Sequence, residues 1–227
     1  MLSLIKYLER PLEFYTDPVY SPEEKRDIKR FEKLSIKFYR SLKRDKHISQ
    51  QLSGQETKDD KRIVRFTKTT MDISNKLVRT EEFNAEEGFF ILLSLYCWWC
   101  EMIKNLLLNV AFRIQRDLEG KEFKGFMTMY PFMNIMNNYR KGEFSVLFSD
   151  IDVDLRNSFI HGDFDLNAHT HEIEYYDSKG AKKKLKLKDF LSKYKKLAPL
   201  YATLFLYRTK TFANEMRDIA RKKSFLS

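Results

Sequence analysis

Arg156-Asn157-Ser158-Phe159-Ile160-His161-Gly162 is the stretch on which the reading of this chain turns. It closes a segment rich in apolar residues, carries a permanent cation five residues before a histidine, and ends on a glycine suited to the position just past a helix. Upstream, Val146, Leu147, Phe148, Val153, Leu155, Phe159 and Ile160 are available for packing, and the spacing predicts one helix from Phe144 to His161. On such a helix, five residues at 100° each set Arg156 and His161 about 140° apart. Asn157 falls on the same stripe as His161, one turn earlier.

Downstream the period changes. Glu172-Ile-Glu-Tyr-Tyr-Asp177, Ser178-Lys179-Gly180 and Ala181-Lys-Lys-Lys-Leu-Lys-Leu187 read as a β-hairpin with a glycine-containing turn, Ile173 and Tyr175 facing Leu185 and Leu187. A long closing helix follows from about Asp189 to Lys222, its buried side marked by Leu191, Tyr194, Leu197, Tyr201, Leu204, Phe205, Phe212, Met216 and Ile219. Pro199 is expected to kink it.

Further upstream, Asn84-Ala85-Glu86-Glu87 resembles a capping box. The helix it opens runs to about Leu118, where Gly120 stops it, and shows a broad apolar face from Leu92 to Val110. Another helix is expected over Phe126 to Tyr139, ending near Gly142. Ser21-Pro22-Glu23-Glu24 opens an earlier one, with Ser as N-cap, Pro at the first helical position and acids in the first turn. Between these, Gln50 to Lys61 reads as a loop and Ile63 to Val78 as a helix. The division expected is a helical extension over residues 1–80, packed on a bundle formed by residues 81–227.

Composition narrows the class. The chain has 227 residues, 43% apolar and 33% charged, with seven Gly and five Pro. That suits a mainly α globular protein and argues against an all-β one built on many tight turns. A net charge of +10 favours an anionic partner, nucleic acid or an acidic membrane surface, with ordinary basic solubility as the plainer alternative. The N-terminal segment lacks a continuous apolar core, and the apolar run Phe89 to Cys100 is short for a bilayer span. A cytoplasmic protein with no membrane partner is the expectation. Cys97-Trp98-Trp99-Cys100 sits inside that apolar run rather than at a helix start after a strand, so it reads as two buried thiols and not as a redox pair. No glycine-rich phosphate loop and no serine nucleophile elbow is found.

A long helix, a helix ending in RNSFIHG, a short hairpin with a Ser-Lys-Gly turn and a long closing helix together resemble the HEPN family. These are small helical bundles defined by Arg, a polar residue, a few variable residues and His; Arg156, Asn157 and His161 match position for position. The resemblance covers roughly residues 144–222. It implies a mainly α, HEPN-like bundle with a small β-hairpin before the C-terminal helix. It also implies a dimeric, metal-independent endoribonuclease in which both motifs meet at the interface, often in toxin or antiviral-defence roles. Some members carry a Tyr two residues after the His, where a partner enzyme attaches an inactivating nucleotide. Asp163 stands there in this chain, which argues against that pairing, although a regulatory partner protein of another kind fits the class.

Each residue has a chemical role and a plainer alternative. His161 is the candidate general base or acid for cleavage through the 2′-hydroxyl; the alternative is a histidine that merely caps the last carbonyls. Arg156 would hold the scissile phosphate, or else pair with Asp152 one turn back. Asn157 would orient the imidazole or bind a phosphate oxygen, or simply face solvent. From Lys179 to Lys196 there are nine Lys and a single acid, Asp189. Lys179, Lys182, Lys183, Lys184 and Lys186 are the expected RNA contacts, against the alternative of a solvated face. His169-x-His171 lacks further ligands at convincing spacing, so neither metal nor cofactor is expected. A second function class stays open: a non-catalytic RNA-binding, nucleotide-binding or protein-interaction module of the same fold.

Overall fold

The computed structural model describes residues 21–45, 48, 85–120, 127–167 and 170–224; the expected loop from Gln50 and the helix from Ile63 to Val78 lie outside them. Among the described residues, five α-helices and three strands follow one another: α1 Pro22–Arg44, α2 Ala85–Glu119, α3 Met129–Asn138, α4 Val153–His161, β1 Phe164–Asn167, β2 Glu172–Tyr176, β3 Lys182–Lys186 and α5 Leu187–Ser224. Two short 3-10 turns, Tyr139–Gly142 and Ser145–Leu147, connect α3 to the segment before α4. The chain is mainly helical with a small antiparallel sheet, as its composition suggests.

The residues divide into two compact units. One unit contains α1, α2 from Leu106 onward, α3, the 3-10 turns and α5 from Pro199 onward. The other contains α2 up to Asn105 and everything described from Ser149 to Ala198, which is α4, the sheet and the start of α5.

In the first unit α1 buries one stripe, with Ile28, Ser35, Phe38, Tyr39 and Leu42 almost wholly removed from solvent. Phe38 is the centre of an aromatic cluster. Its ring meets Tyr139, Phe144 and Phe148 edge-on at centroid distances of 6.0, 5.2 and 5.5 Å, a geometry that aligns positive ring edges with negative faces.

The expected single helix from Phe144 to His161 is broken, and the division between the units falls within it. Its first part forms only the 3-10 turn, and α4 starts at Val153. Tyr96 of α2 explains the break. Its hydroxyl donates to the Asp150 carbonyl (2.9 Å) and accepts from the Asp152 N–H (2.7 Å), holding both groups out of any helical ladder. Asp152 then adopts an extended conformation and its carboxylate accepts from the Leu155 N–H at 3.1 Å, an N-cap of the usual kind.

At the other end Gly162 takes φ +76°. The Gly162 N–H donates to Phe159 O and the Asp163 N–H to Ser158 O, the paired bonds of a Schellman cap. The expected glycine stop is therefore present.

The expected hairpin is part of a three-stranded antiparallel sheet in the order β1-β2-β3. Ile173 lies opposite Leu185 and Tyr175 opposite Lys183; the expected facing of Ile173 and Tyr175 with Leu187 and Leu185 would need the ladder shifted by two residues, and Leu187 instead opens α5. β1 pairs Phe164 with Tyr175 and Leu166 with Ile173, so these apolar residues share the inner face of the sheet. α4 packs against β2 on that face. Ser158, buried, fixes the docking: its hydroxyl donates to Tyr176 O (2.9 Å) and accepts from Tyr176 N (3.1 Å).

α5 continues through Pro199. Within α2, Glu87–Asp117 is long and apolar enough to cross a membrane by length and composition alone, a longer segment than the run from Phe89 to Cys100 suggests. However, 61% of its most apolar window is buried inside the protein, as in the core helix of a globular domain.

Candidate active site

The motif lies on α4, a helix of nine residues whose two ends are both fixed. The N-terminus is set by Asp152 and the C-terminus by Gly162, so the directions of Arg156, Asn157 and His161 follow from the helix itself. Asp152 is tied down further, because its second carboxylate oxygen accepts from the Tyr175 hydroxyl at 2.9 Å. Burial and that carboxylate push the Tyr175 phenol up, well out of range of neutral pH.

Arg156 is mostly buried, with 19% of its side chain exposed. It does not pair with the Asp152 carboxylate. Its guanidinium donates through Nη2 to Glu101 of α2 and through Nη1 to Asn157 Oδ1 (2.7 Å). Glu101 also holds Lys104, whose ammonium stands 2.8 Å away with only 4% of its side chain exposed. Two cations thus share one carboxylate. Lys104 and Arg156 are thereby held by the same side chain, both largely out of solvent. The Nε of Arg156 is buried and finds no acceptor among the described residues. An orphaned buried donor is uncommon and costs free energy unless something completes it.

Glu101 and Lys104 were legible in the sequence only as interruptions of an apolar run. Their signal was a pair of opposite charges at i,i+3 in the middle of a helix that is otherwise core.

Asn157 is engaged with Arg156 and makes no bond to the imidazole. His161 is exposed, on the last turn of α4, and has no hydrogen-bond or ion-pair partner among the described residues. Of the last carbonyls it could cap as a plain alternative, those of Ser158 and Phe159 are already taken by the Schellman bonds. Around it lies apolar surface. Ile160 is 51% and Phe90 of α2 53% exposed, and the Phe90 ring contacts Phe159 at 5.4 Å and Phe164 at 6.4 Å.

The thiols of Cys97, one turn before Glu101, and Cys100, its immediate neighbour in sequence, are free and buried. Burial pushes Cys97 up to about 12 despite the opposing pull of Arg156, and pushes Cys100 well above its ordinary value. Both are neutral thiols at neutral pH, which makes them packing residues rather than nucleophiles.

The lysines expected to contact RNA are less available than their run suggests. Side chains two apart on a strand share a face. By register Lys182, Lys184 and Lys186 therefore share the outer face with Glu172, Glu174 and Asp165, three cations against three carboxylates. Lys184 pairs with Glu174 (2.8 Å) and Glu172 (3.6 Å), and Lys182 with Glu174. Both lysines hold Glu174 below the usual carboxylate range. Lys183 points to the other face and bonds Asp154 of α4 at 2.6 Å. Lys179 and Lys186 remain exposed and unpaired among the described residues.

His171 is exposed with φ +53° and His169 lies outside the described residues. Among the described residues no group of three or more His, Cys, Asp or Glu side chains is placed to hold a metal ion. No family model, no curated protein and no solved structure matches this chain.

Proposed function

We propose that this chain is a metal-independent endoribonuclease of the HEPN kind, cleaving single-stranded RNA to leave a 2′,3′-cyclic phosphate. The observation that carries the reading is His161. It stands exposed at a fixed helix end with no bonding partner among the described residues, five residues from a mostly buried arginine whose Nε has no acceptor among them. In the reaction His161 removes the 2′-hydroxyl proton, and the 2′-oxygen attacks the adjacent phosphorus. The 5′-oxygen leaves with a proton supplied by the second motif of a dimer. Arg156, with Lys104 behind it, stabilises the charge that accumulates on the phosphoryl oxygens. Asn157 holds the guanidinium plane rather than the imidazole.

A homodimer supports this scheme on two counts. The angular separation of Arg156 and His161 on one helix is relieved when two motifs meet, and exposed Phe90 and Ile160 flank the motif as interface residues would. By the same resemblance we assign a cytoplasmic toxin or antiviral-defence role, under the control of a partner protein.

The Arg156–Glu101 ion pair favours a second reading, in which Arg156 braces α4 against α2 and the module binds RNA without cutting it. The two separate cleanly. Wild-type protein and His161→Ala are incubated with RNA in excess EDTA, and the product ends are analysed. Cyclic phosphate ends from wild type, reduced at least a hundredfold in the variant, are expected. Equal inertness of both proteins sinks the nuclease and leaves the binding module.

A further inference from the structure

α1 carries nine Lys and Arg against four Asp and Glu in 23 residues, a net +5 that is half the charge of the whole chain. Their placement is more telling than their number. At 100° per residue, Arg26, Lys29, Arg30, Lys33, Lys37, Arg40 and Arg44 fall within an arc about 100° wide. No carboxylate shares that arc: Glu23, Asp27 and Glu32 lie to either side of it. All seven cations are exposed. Lys37 pairs with Glu143 at 2.9 Å; the other six have no ion-pair partner among the described residues. The opposite side of the helix is the buried stripe around Phe38, so the cationic row is displayed by an anchored element.

Helix stability does not account for the row. Like charges at i,i+4 are destabilising by about 0.2–0.5 kcal/mol per pair. Solubility is served by interspersed signs, which is what the outer face of the sheet shows and α1 does not. A single-sign row from Arg26 to Arg44 is about 27 Å long and one helix wide, the shape of a contact for a linear polyanion. Apart from Pro22 at the first position of the helix, the arc holds no aromatic or aliphatic side chain to enter a lipid headgroup layer; a membrane-surface helix exposes both faces' chemistry at once. Four of the seven cations are arginines, whose planar fork suits phosphate oxygens.

We propose that the exposed face of α1 is the track that holds the sugar-phosphate backbone of single-stranded RNA, in place of the lysine-rich hairpin. The proposal rests on the functional reading above only in taking RNA as the partner; it does not require cleavage.

The test measures binding, in a His161→Ala background so that cleavage plays no part. A fluorescein-labelled 20-nucleotide oligouridine is titrated with the full chain across a salt series, read by anisotropy. The quadruple variant Arg26→Gln, Arg30→Gln, Lys33→Gln, Arg40→Gln should bind at least tenfold more weakly at 0.1 M salt, on the order of what several lost phosphate contacts cost. Its plot of log affinity against log salt should be shallower by about 3, since each single-strand phosphate contact contributes about 0.7. The pair Lys29→Gln, Arg44→Gln should give about half that change in slope, and a triple variant at Lys182, Lys184 and Lys186 should stay within twofold of the parent. Far-UV circular dichroism checks that each variant keeps its helix content.

Parental affinity and slope in both folded α1 variants would overturn the proposal, as would an equal loss in the hairpin variant or no RNA binding by the parent. So would α1-dependent binding to phosphatidylserine-containing vesicles in the absence of RNA binding, which makes the face a membrane contact. RNA binding that depends on α1 without any cleavage by the wild type removes the nuclease reading and leaves this one standing.

Discussion

The hairpin and α1 are both dense in lysine and arginine, yet they present opposite surfaces. On the hairpin Lys184 and Lys186 of β3 stand opposite Glu174 and Glu172 of β2, Lys182 also pairs with Glu174, and Lys183 on the other face bonds Asp154. On α1 the cations come at intervals of three and four, and the few acids fall outside their arc. The difference is one of periodicity. A strand brings every second residue against a neighbouring strand that can carry the opposite charge. A helix gathers every third and fourth residue onto a face that only its own sequence can neutralise. Density of basic residues along a chain is therefore a poor guide to surface potential until the period is known.

The two regions are also held differently, and that can be tested by breaking each. Phe38→Ala removes a fully buried ring from the cluster under α1, and a loss of about 3–5 kcal/mol is expected in urea unfolding. Hydrogen exchange should show α1 losing protection first. Ser158→Ala strips partners from both the N–H and the C=O of Tyr176, and about 1–3 kcal/mol is expected, with faster exchange confined to β2 and its neighbours. A greater cost at Ser158 than at Phe38 would show that hydrogen bonds, not apolar burial, dominate both anchors. Smallest in effect, and most direct on charge, is the pair Glu172→Gln, Glu174→Gln. Unmasking the outer-face lysines should raise oligouridine affinity severalfold and steepen the salt slope by about 1. An unchanged slope would mean those lysines stay out of reach of RNA even when freed.

Much of the fold could be read from residue order because local chemistry and tertiary structure agree there. Ser21-Pro22, Gly120 and Gly162 sit at helix ends, and the Gly180 turn joins two antiparallel strands as the hairpin pattern suggests. Reading failed where a distant side chain decides. Residues 144–161 have enough apolar residues for one helix, and the Tyr96 hydroxyl, more than fifty positions away, interrupts it. β1 is four residues long and is a strand because β2 offers it a ladder. At the site, the histidine, the arginine and their spacing were visible. The partner of Arg156 was not, because Glu101 meets it only once α2 and α4 are packed. The cations of α1 were visible as letters, but a search for its apolar stripe passes over the face opposite.

The Tyr96 hydroxyl works as an indexing pin. With Asp150 and Asp152 both fastened to it, α4 leaves the pin at a set phase. One residue inserted or deleted between Asp152 and Arg156 would turn the helix beyond it by about 100° and shift it by about 1.5 Å. Arg156 would then face away from Glu101, and His161 would leave its exposed position, with every letter of the motif intact. The length of this short spacer is therefore as much a part of the motif as the residues that spell it.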